Sequence, residues 1–173
     1  MKKLLVFLCV FALSLSLLGC GESDSASAPA DNTPTAEEQL AEEQAKADAD
    51  YAQFVELMET LFAHENYSQE LSALVEKYLA GEVDDNTILE AMKASSDDSQ
   101  ALLEAVKNAQ WQTEYYKEHV ELLTATVQSL ADYELTNYES MATGDESKAA
   151  EASQYIQDYQ ANYGALIARL ENK

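Results

Sequence analysis

Proline does not recur after Pro34, and glycine is scarce over the same long stretch, so almost nothing interrupts a helix there. Runs of β-branched residues, which would favour strands, are missing as well. The chain can therefore only be all-α from that point on. Gly81 and Gly144 stand out as its two punctuation marks, each suited to end a helix in the left-handed conformation. Their surroundings, Tyr78-Leu79-Ala80-Gly81-Glu82 and Met141-Ala142-Thr143-Gly144-Asp145, look alike. They suggest a duplicated hairpin, although generic turn chemistry accounts for them equally well.

Apolar spacing divides this stretch into helices. Tyr51, Phe54, Met58 and Leu61 recur at three- and four-residue intervals, and the stripe resumes with Leu71, Leu74 and Tyr78. The polar interval His64-Glu65-Asn66 reads as a kink or a true break, and a break near Asn66 would make five helices. Thr87 with Glu90 gives a capping-box signature for the second helix, whose stripe is Ile88, Met92, Ser95, Ser99, Leu102 and Val106. The two serines occupy positions where apolar residues are expected. A third helix starts near Gln110 and uses Tyr116, Val120, Leu123, Val127 and Leu130, after which its stripe shifts phase to Leu135, Tyr138 and Ala142. Thr143 with Glu146 offers a second capping box. The last helix keeps a heptad through Ala149, Ala152, Ile156, Tyr159, Tyr163, Leu166 and Leu170. Short connections predict an antiparallel up-down four-helix bundle over residues 51–173.

The N-terminal segment is of a different kind. Met1-Lys2-Lys3 precedes an almost unbroken apolar run of fifteen residues from Leu4 to Leu18, then Gly19-Cys20. A basic start and a short apolar run form a secretory signal, and the run falls short of the roughly 20 residues that span a bilayer. An uncleaved transmembrane anchor is the weaker alternative. Gly21 to Thr35 is Ser, Ala, Asp, Asn and Pro with almost nothing apolar, a composition expected of a flexible tether. Ala36 to Asp50, rich in Ala, Glu and Gln, reads as a frayed helical extension of little apolar face. Residues 1–19 are thus a leader, 20–50 a tether with its extension, and 51–173 the bundle.

Leu17-Leu18-Gly19-Cys20 resembles the lipobox of bacterial lipoproteins, with Leu18 standing where Ala or Ser is commoner. The resemblance implies that a diacylglyceryl group joins the Cys20 thiol and that a peptidase then cuts before Cys20. Two acyl chains, at about 0.8 kcal/mol per buried CH₂, anchor stably. Ordinary secretory cleavage after Ala26-Ser27-Ala28 is the competing reading, but Pro29 would follow that cut and obstruct it. From Leu71 to Arg169 the layout is also similar to uncharacterised helical-bundle lipoproteins of Gram-positive bacteria. The shared features are the Tyr-Leu-x-Gly-Glu turn, His119 in the third helix, and a Gly-Asp turn before an Ala-rich last helix. Asn108-Ala109-Gln110 stands where those families often carry a proline. The resemblance brings no known activity with it.

Charge and cysteine narrow the function classes. The net charge is −22, and losing Lys2 and Lys3 leaves 8 basic against 32 acidic residues, near −24. Such a body is repelled by DNA, RNA and anionic head groups, so nucleic acid is excluded as a partner and the bundle is held off the membrane that anchors it. Cys9 and Cys20 are the two cysteines, so nothing after Cys20 can form a disulfide or a thiolate metal site.

Chemistry-bearing motifs are equally sparse. A di-iron bundle needs Glu-x-x-His, whereas Tyr116 precedes His119 and Leu61 precedes His64 at that spacing. No His-Glu-x-x-His, calcium loop, Gly-x-Ser-x-Gly or phosphate-cradling loop occurs. Neither a cofactor nor a metal is expected, and a structural hydrogen bond is the expected role of each histidine. Seven of the ten tyrosines lie between Tyr115 and Tyr163. They are expected chiefly as core and boundary packing, with an aromatic-lined groove beside Ser95 and Ser99 as the functional alternative. The expectation is a non-enzymatic lipoprotein on the outer face of a bacterial cell membrane, lipidated at Cys20, binding or scaffolding an envelope protein partner. The alternative is an extracytoplasmic binder of a small ligand or divalent cation.

Overall fold

The computed structural model describes residues 35–171, so the leader, Cys20 and the tether up to Pro34 lie outside the described residues. Four helices follow one another: α1 (Ala36–Leu79), α2 (Asp85–Asn108), α3 (Glu114–Thr143) and α4 (Glu146–Glu171). Cross-helix bonds give their register. Gln100 Nε2 donates to the Ala131 carbonyl and Lys107 Nζ to Gln128 Oε1, which sets α2 antiparallel to α3. Asn162 Nδ2 donates to Ser129 Oγ and Arg169 Nη2 to Glu118 Oε2, which sets α3 antiparallel to α4. The result is a four-helix up-down bundle.

Both glycine turns form as their chemistry demands. Gly81 sits at φ 74°, with its N–H bonded to the Tyr78 carbonyl and the Glu82 N–H bonded to Lys77, a Schellman closure. Gly144 sits at φ 71° and returns its N–H to Ser140. Helix starts differ from the expected caps. Asp84 rather than Thr87 caps α2, its side chain accepting from the Thr87 N–H. Asp145 rather than Thr143 precedes α4 and accepts from the Ser147 N–H, while the Thr143 hydroxyl bonds back to Glu139. In both cases a carboxylate at the helix entrance outcompetes a hydroxyl for the free amides.

The apolar core fills the half of the bundle nearer the α2–α3 connection. Leu61, Leu123 and Leu166 are wholly buried there, with Phe54, Met58, Leu102, Val106 and Val127 around them. Burying each such side chain contributes about 1.5–3 kcal/mol. All six expected stripe positions of α2 are buried, Ser95 and Ser99 included. Ser99 is wholly enclosed, its hydroxyl bonds the Ser96 carbonyl, and it does not line the cavity described below. Ser99→Leu is accordingly expected to destabilise by about 1–3 kcal/mol through overpacking. Urea unfolding will measure this, and a stabilised variant would mean a void is present after all.

The structure decides between the two alternatives for α1 and moves both the stripe and the start of α3, each for a physical reason. α1 runs unbroken through His64-Glu65-Asn66, so there is no fifth helix; His64 is buried and continues the stripe of Phe54, Leu57, Met58 and Leu61. The stripe of α3 does not shift to Leu135, which stays 38% exposed; it carries on from Leu130 and Ala131 to a buried Glu134. The stretch Ala36–Asp50 is continuous with the rest of α1 and ends in a wholly buried residue, because the Asp50 carboxylate accepts from the Gln112 and Thr113 amides and the Thr113 hydroxyl. α3 begins at Glu114 rather than near Gln110, and Thr113 makes no cap bond of its own. Asp50 supplies that cap from another helix.

Packing around the bundle is unequal. α3 lies against both α2 and α4, and α1 leans on α2 and more lightly on α3. Among the described residues, no Cα of α1 comes within 8 Å of a Cα of α4. The α1–α4 seam is open.

Candidate binding cavity

A polar layer crosses the bundle where the apolar core stops. His64 of α1, Ser95 of α2 and Glu134 of α3 each occupy a core stripe position, and all are buried. His64 Nε2 lies 2.8 Å from Glu134 Oε1, and the Ser95 hydroxyl donates to the same oxygen at 2.9 Å. The other carboxylate oxygen, Glu134 Oε2, is buried and has no hydrogen-bond donor in the protein. A buried oxygen left unmet costs on the order of 1–3 kcal/mol. The other such atom among the described residues, Trp111 Nε1, belongs to an aromatic cluster with Phe54 and Tyr116 near the α2–α3 connection.

Glu134 lines a cavity of about 390 Å³ that occupies the open seam. Ser68, Ser72 and Val75 of α1 form one wall, Ile156 and Tyr159 of α4 the opposite one. Met92 and Ser95 of α2 and Leu130, Tyr133 and Glu134 of α3 close it between them. A second carboxylate, Glu65, stands at this seam with both oxygens engaged. Tyr159 donates to its Oε1 at 2.5 Å and Tyr163 to its Oε2 at 3.0 Å. These two bonds link α1 to α4 across the seam. None of the lining residues is a lysine or arginine.

Electrostatics follow from the pairing. Burial would lower the His64 pKa, but the bond and charge of Glu134, with Asp98 and Glu65 nearby, outweigh it and raise the value above that of a free imidazole. Burial pushes the Tyr159 phenol well up, and the bond to Glu65 adds to it. Tyr163 rises to about 12 for the same reasons in the same order. Both phenols stay protonated at any physiological pH and remain donors to Glu65.

The layer does not have the order of a nucleophilic triad. Such a triad places histidine between the hydroxyl and the carboxylate, whereas here hydroxyl and histidine both bond the carboxylate. Among the described residues, no group of three or more His, Cys, Asp or Glu side chains is placed to hold a metal ion.

The sequence pattern placed only part of this site. Ser95 does line the cavity, and Ser99 does not. Tyr133 and Tyr159 line it, while Tyr115 and Tyr116 pack with Phe54, Trp111 and His119 elsewhere. His119 is buried with Nδ1 2.7 Å from the Tyr115 carbonyl, a structural bond within its own helix. The sequence pattern gives His64 only a structural hydrogen bond and gives Glu65 and Glu134 no site role. Their signal was a polar residue falling on a core stripe in His64 and Glu134, and none at all for Glu65. Cys20 lies outside the described residues. No family model, curated protein or solved structure matches the chain.

Proposed function

We propose that this chain is a bacterial lipoprotein, anchored through Cys20 to the outer face of the cell membrane, whose bundle binds a small solute without transforming it. The anchor rests on Leu17-Leu18-Gly19-Cys20 at the end of a short apolar run behind Lys2 and Lys3. No described helix is long and apolar enough to cross a membrane. The binding role rests on one observation: a cavity of about 390 Å³ between the helices that mixes apolar side chains, Val75, Met92, Leu130 and Ile156, with the polar Ser68, Ser72, Glu134 and Tyr159. A pure spacer or scaffold has no need of such a cavity, since larger side chains along the seam would fill it.

Two measurements bear on the two halves of this reading. Mass spectrometry of the cell-envelope fraction is expected to find a diacylglyceryl-modified peptide beginning at Cys20. Recovery of a soluble mature form beginning at Pro29 would remove the anchor. Thermal unfolding against a panel of cationic, neutral and anionic solutes tests the binding role, because any ligand of the native state raises its melting temperature. A panel without one stabilising solute would leave a scaffold for an envelope protein as the surviving function.

A further inference from the structure

We infer that the α1–α4 seam, on the side of the cavity nearer the α2–α3 connection, docks a basic amphipathic helix of another protein. This goes beyond solute binding and uses a different stretch of the molecule. Packed helices lie with axes about 8–10 Å apart, which brings Cα atoms on their facing sides well inside that distance. Among the described residues no Cα of α1 comes within 8 Å of one of α4, and only the phenols of Tyr159 and Tyr163 are bonded across, to Glu65. Helical spacing shows which side chains border the seam. Tyr51 and Met58 stand fourteen and seven residues before Glu65, and Phe62 three before it, so all share the face that meets those phenols. On α4, Ile167 stands four residues beyond Tyr163 and Leu170 seven beyond it, again on one face.

Both walls are apolar and incompletely covered. Met58 is buried, but Phe62 is 40% and Tyr51 45% exposed. Tyr163, Ile167 and Leu170 pack only partly against the core. None of these six lines the solute cavity. From Tyr51 to Phe62 the edge runs about 17 Å at 1.5 Å per residue, three turns of a docked helix. Charge then selects the occupant. Between Lys46 and Lys77, α1 carries seven acidic residues and no lysine or arginine; between Lys148 and Arg169, α4 carries no basic residue either. Arg169 is itself held by Glu118. A second copy of this chain would set a net charge of −22 against its equal, and like-charge repulsion opposes that pairing. A helix with lysine or arginine flanking an apolar stripe covers Phe62 and complements the acidic surroundings at once.

The test uses the full-length protein in non-ionic detergent micelles at about 0.15 M salt. The probe is a synthetic Leu/Lys amphipathic helix of about five turns with a benzophenone on its apolar face. A Leu/Glu peptide with the same stripe and an Ala/Lys peptide without one are its counterparts. Photo-crosslinking is expected to place the Leu/Lys peptide on α1 and α4 along the seam and to label far less with either counterpart. Phe62→Ser is expected to lower the labelling about tenfold, as loss of an aromatic anchor does. Leu135→Ser, which removes a similarly exposed side chain from α3, should leave it unchanged. Partition of the peptide into micelles is common to all variants and cancels from the comparison. If Phe62→Ser does not fold, Tyr51→Ser replaces it, with a several-fold loss expected.

Other outcomes overturn the inference. Equal labelling by the Leu/Glu peptide would remove the selection for a basic partner. Equal labelling by the Ala/Lys peptide would reduce the binding to general ionic attraction. Labelling undiminished in Phe62→Ser would place the helix elsewhere, and no labelling at all would leave the seam without this role. Crosslinks between two copies of the chain that vanish in Phe62→Ser would give the seam to self-association. None of these results bears on the solute cavity or the lipid anchor, which the solute panel and the mass of the Cys20 peptide test separately.

Discussion

Glu134→Ala should destabilise the bundle by about 3–5 kcal/mol, the usual result of removing one partner from a buried ion pair. His64 and Ser95 would then keep their burial and lose their acceptor. The loss should also depend on pH, and its sign is fixed by the direction of the His64 shift. Because folding raises the His64 pKa, the pair's contribution is complete below the unfolded value of about 6.5 and fades as pH climbs through the folded one. The variant should therefore lose more stability at mildly acid than at alkaline pH. Denaturant unfolding of both proteins across that range checks it, and a flat loss below about 1 kcal/mol would mean the pair does not form. Replacing the whole layer is a sharper version of the same experiment. His64→Leu, Ser95→Ala and Glu134→Leu together should leave stability near that of the parent or above it, as apolar substitutes for buried charge often do. A triple variant as stable as the parent would mean that the fold does not require the layer.

That layer also explains where the sequence was readable and where it was not. Apolar spacing placed α2 correctly at every stripe position and α4 at its central ones, Ala152, Tyr159 and Leu166. The glycine turns were legible because only left-handed backbone fits there. The open choice in α1 at His64 and the expected phase shift in α3 after Leu130 have one origin. A hydrophobic stripe counts a histidine or glutamate as solvent-facing, whereas these two face each other across the bundle at 2.8 Å. Each polar residue hides the other's reason for being buried. Ser95 stands out as an anomaly on its own helix, but its acceptor lies 39 positions along the chain. Periodicity describes one helix at a time, and pairing between helices is outside its reach. The open seam is illegible for the same reason: it depends on which two helices fail to meet. Glu65 carried no signal because it is a half-exposed glutamate in a chain full of them, distinguished only by the two phenols that reach it from α4.

Asp50→Ala carries the second large effect, a loss of about 2 kcal/mol, at the upper end of helix-cap substitutions. The carboxylate takes the Thr113 amide at 2.7 Å, the Gln112 amide at 3.0 Å and the Thr113 hydroxyl at 2.6 Å, so alanine leaves two amides at the entrance of α3 without acceptors. Thr113 has no side-chain cap bond to fall back on. Burial would raise the Asp50 pKa, but the bonds from Thr113 and Gln112, with Lys117 nearby, bring it below the ordinary carboxylate value. A depressed folded pKa contributes stability above the unfolded value of about 3.9 and loses it as pH falls through the folded one. The gap between parent and variant should thus be full at neutral pH and shrink in strong acid. Hydrogen exchange gives the local readout: the Gln112 and Thr113 amides should exchange markedly faster in the variant, while those around Leu123 change only with global stability. Unchanged protection at both amides would refute the cap. Asp50 and His64 each tie a polar side chain of α1 to α3 or its entrance, and they share no partner. Asp50→Ala and Glu134→Ala should therefore add to within about 0.5 kcal/mol. A larger combined loss would mean that α1 is held on the bundle by these two ties acting together, with the open seam beside α4 giving it room to leave.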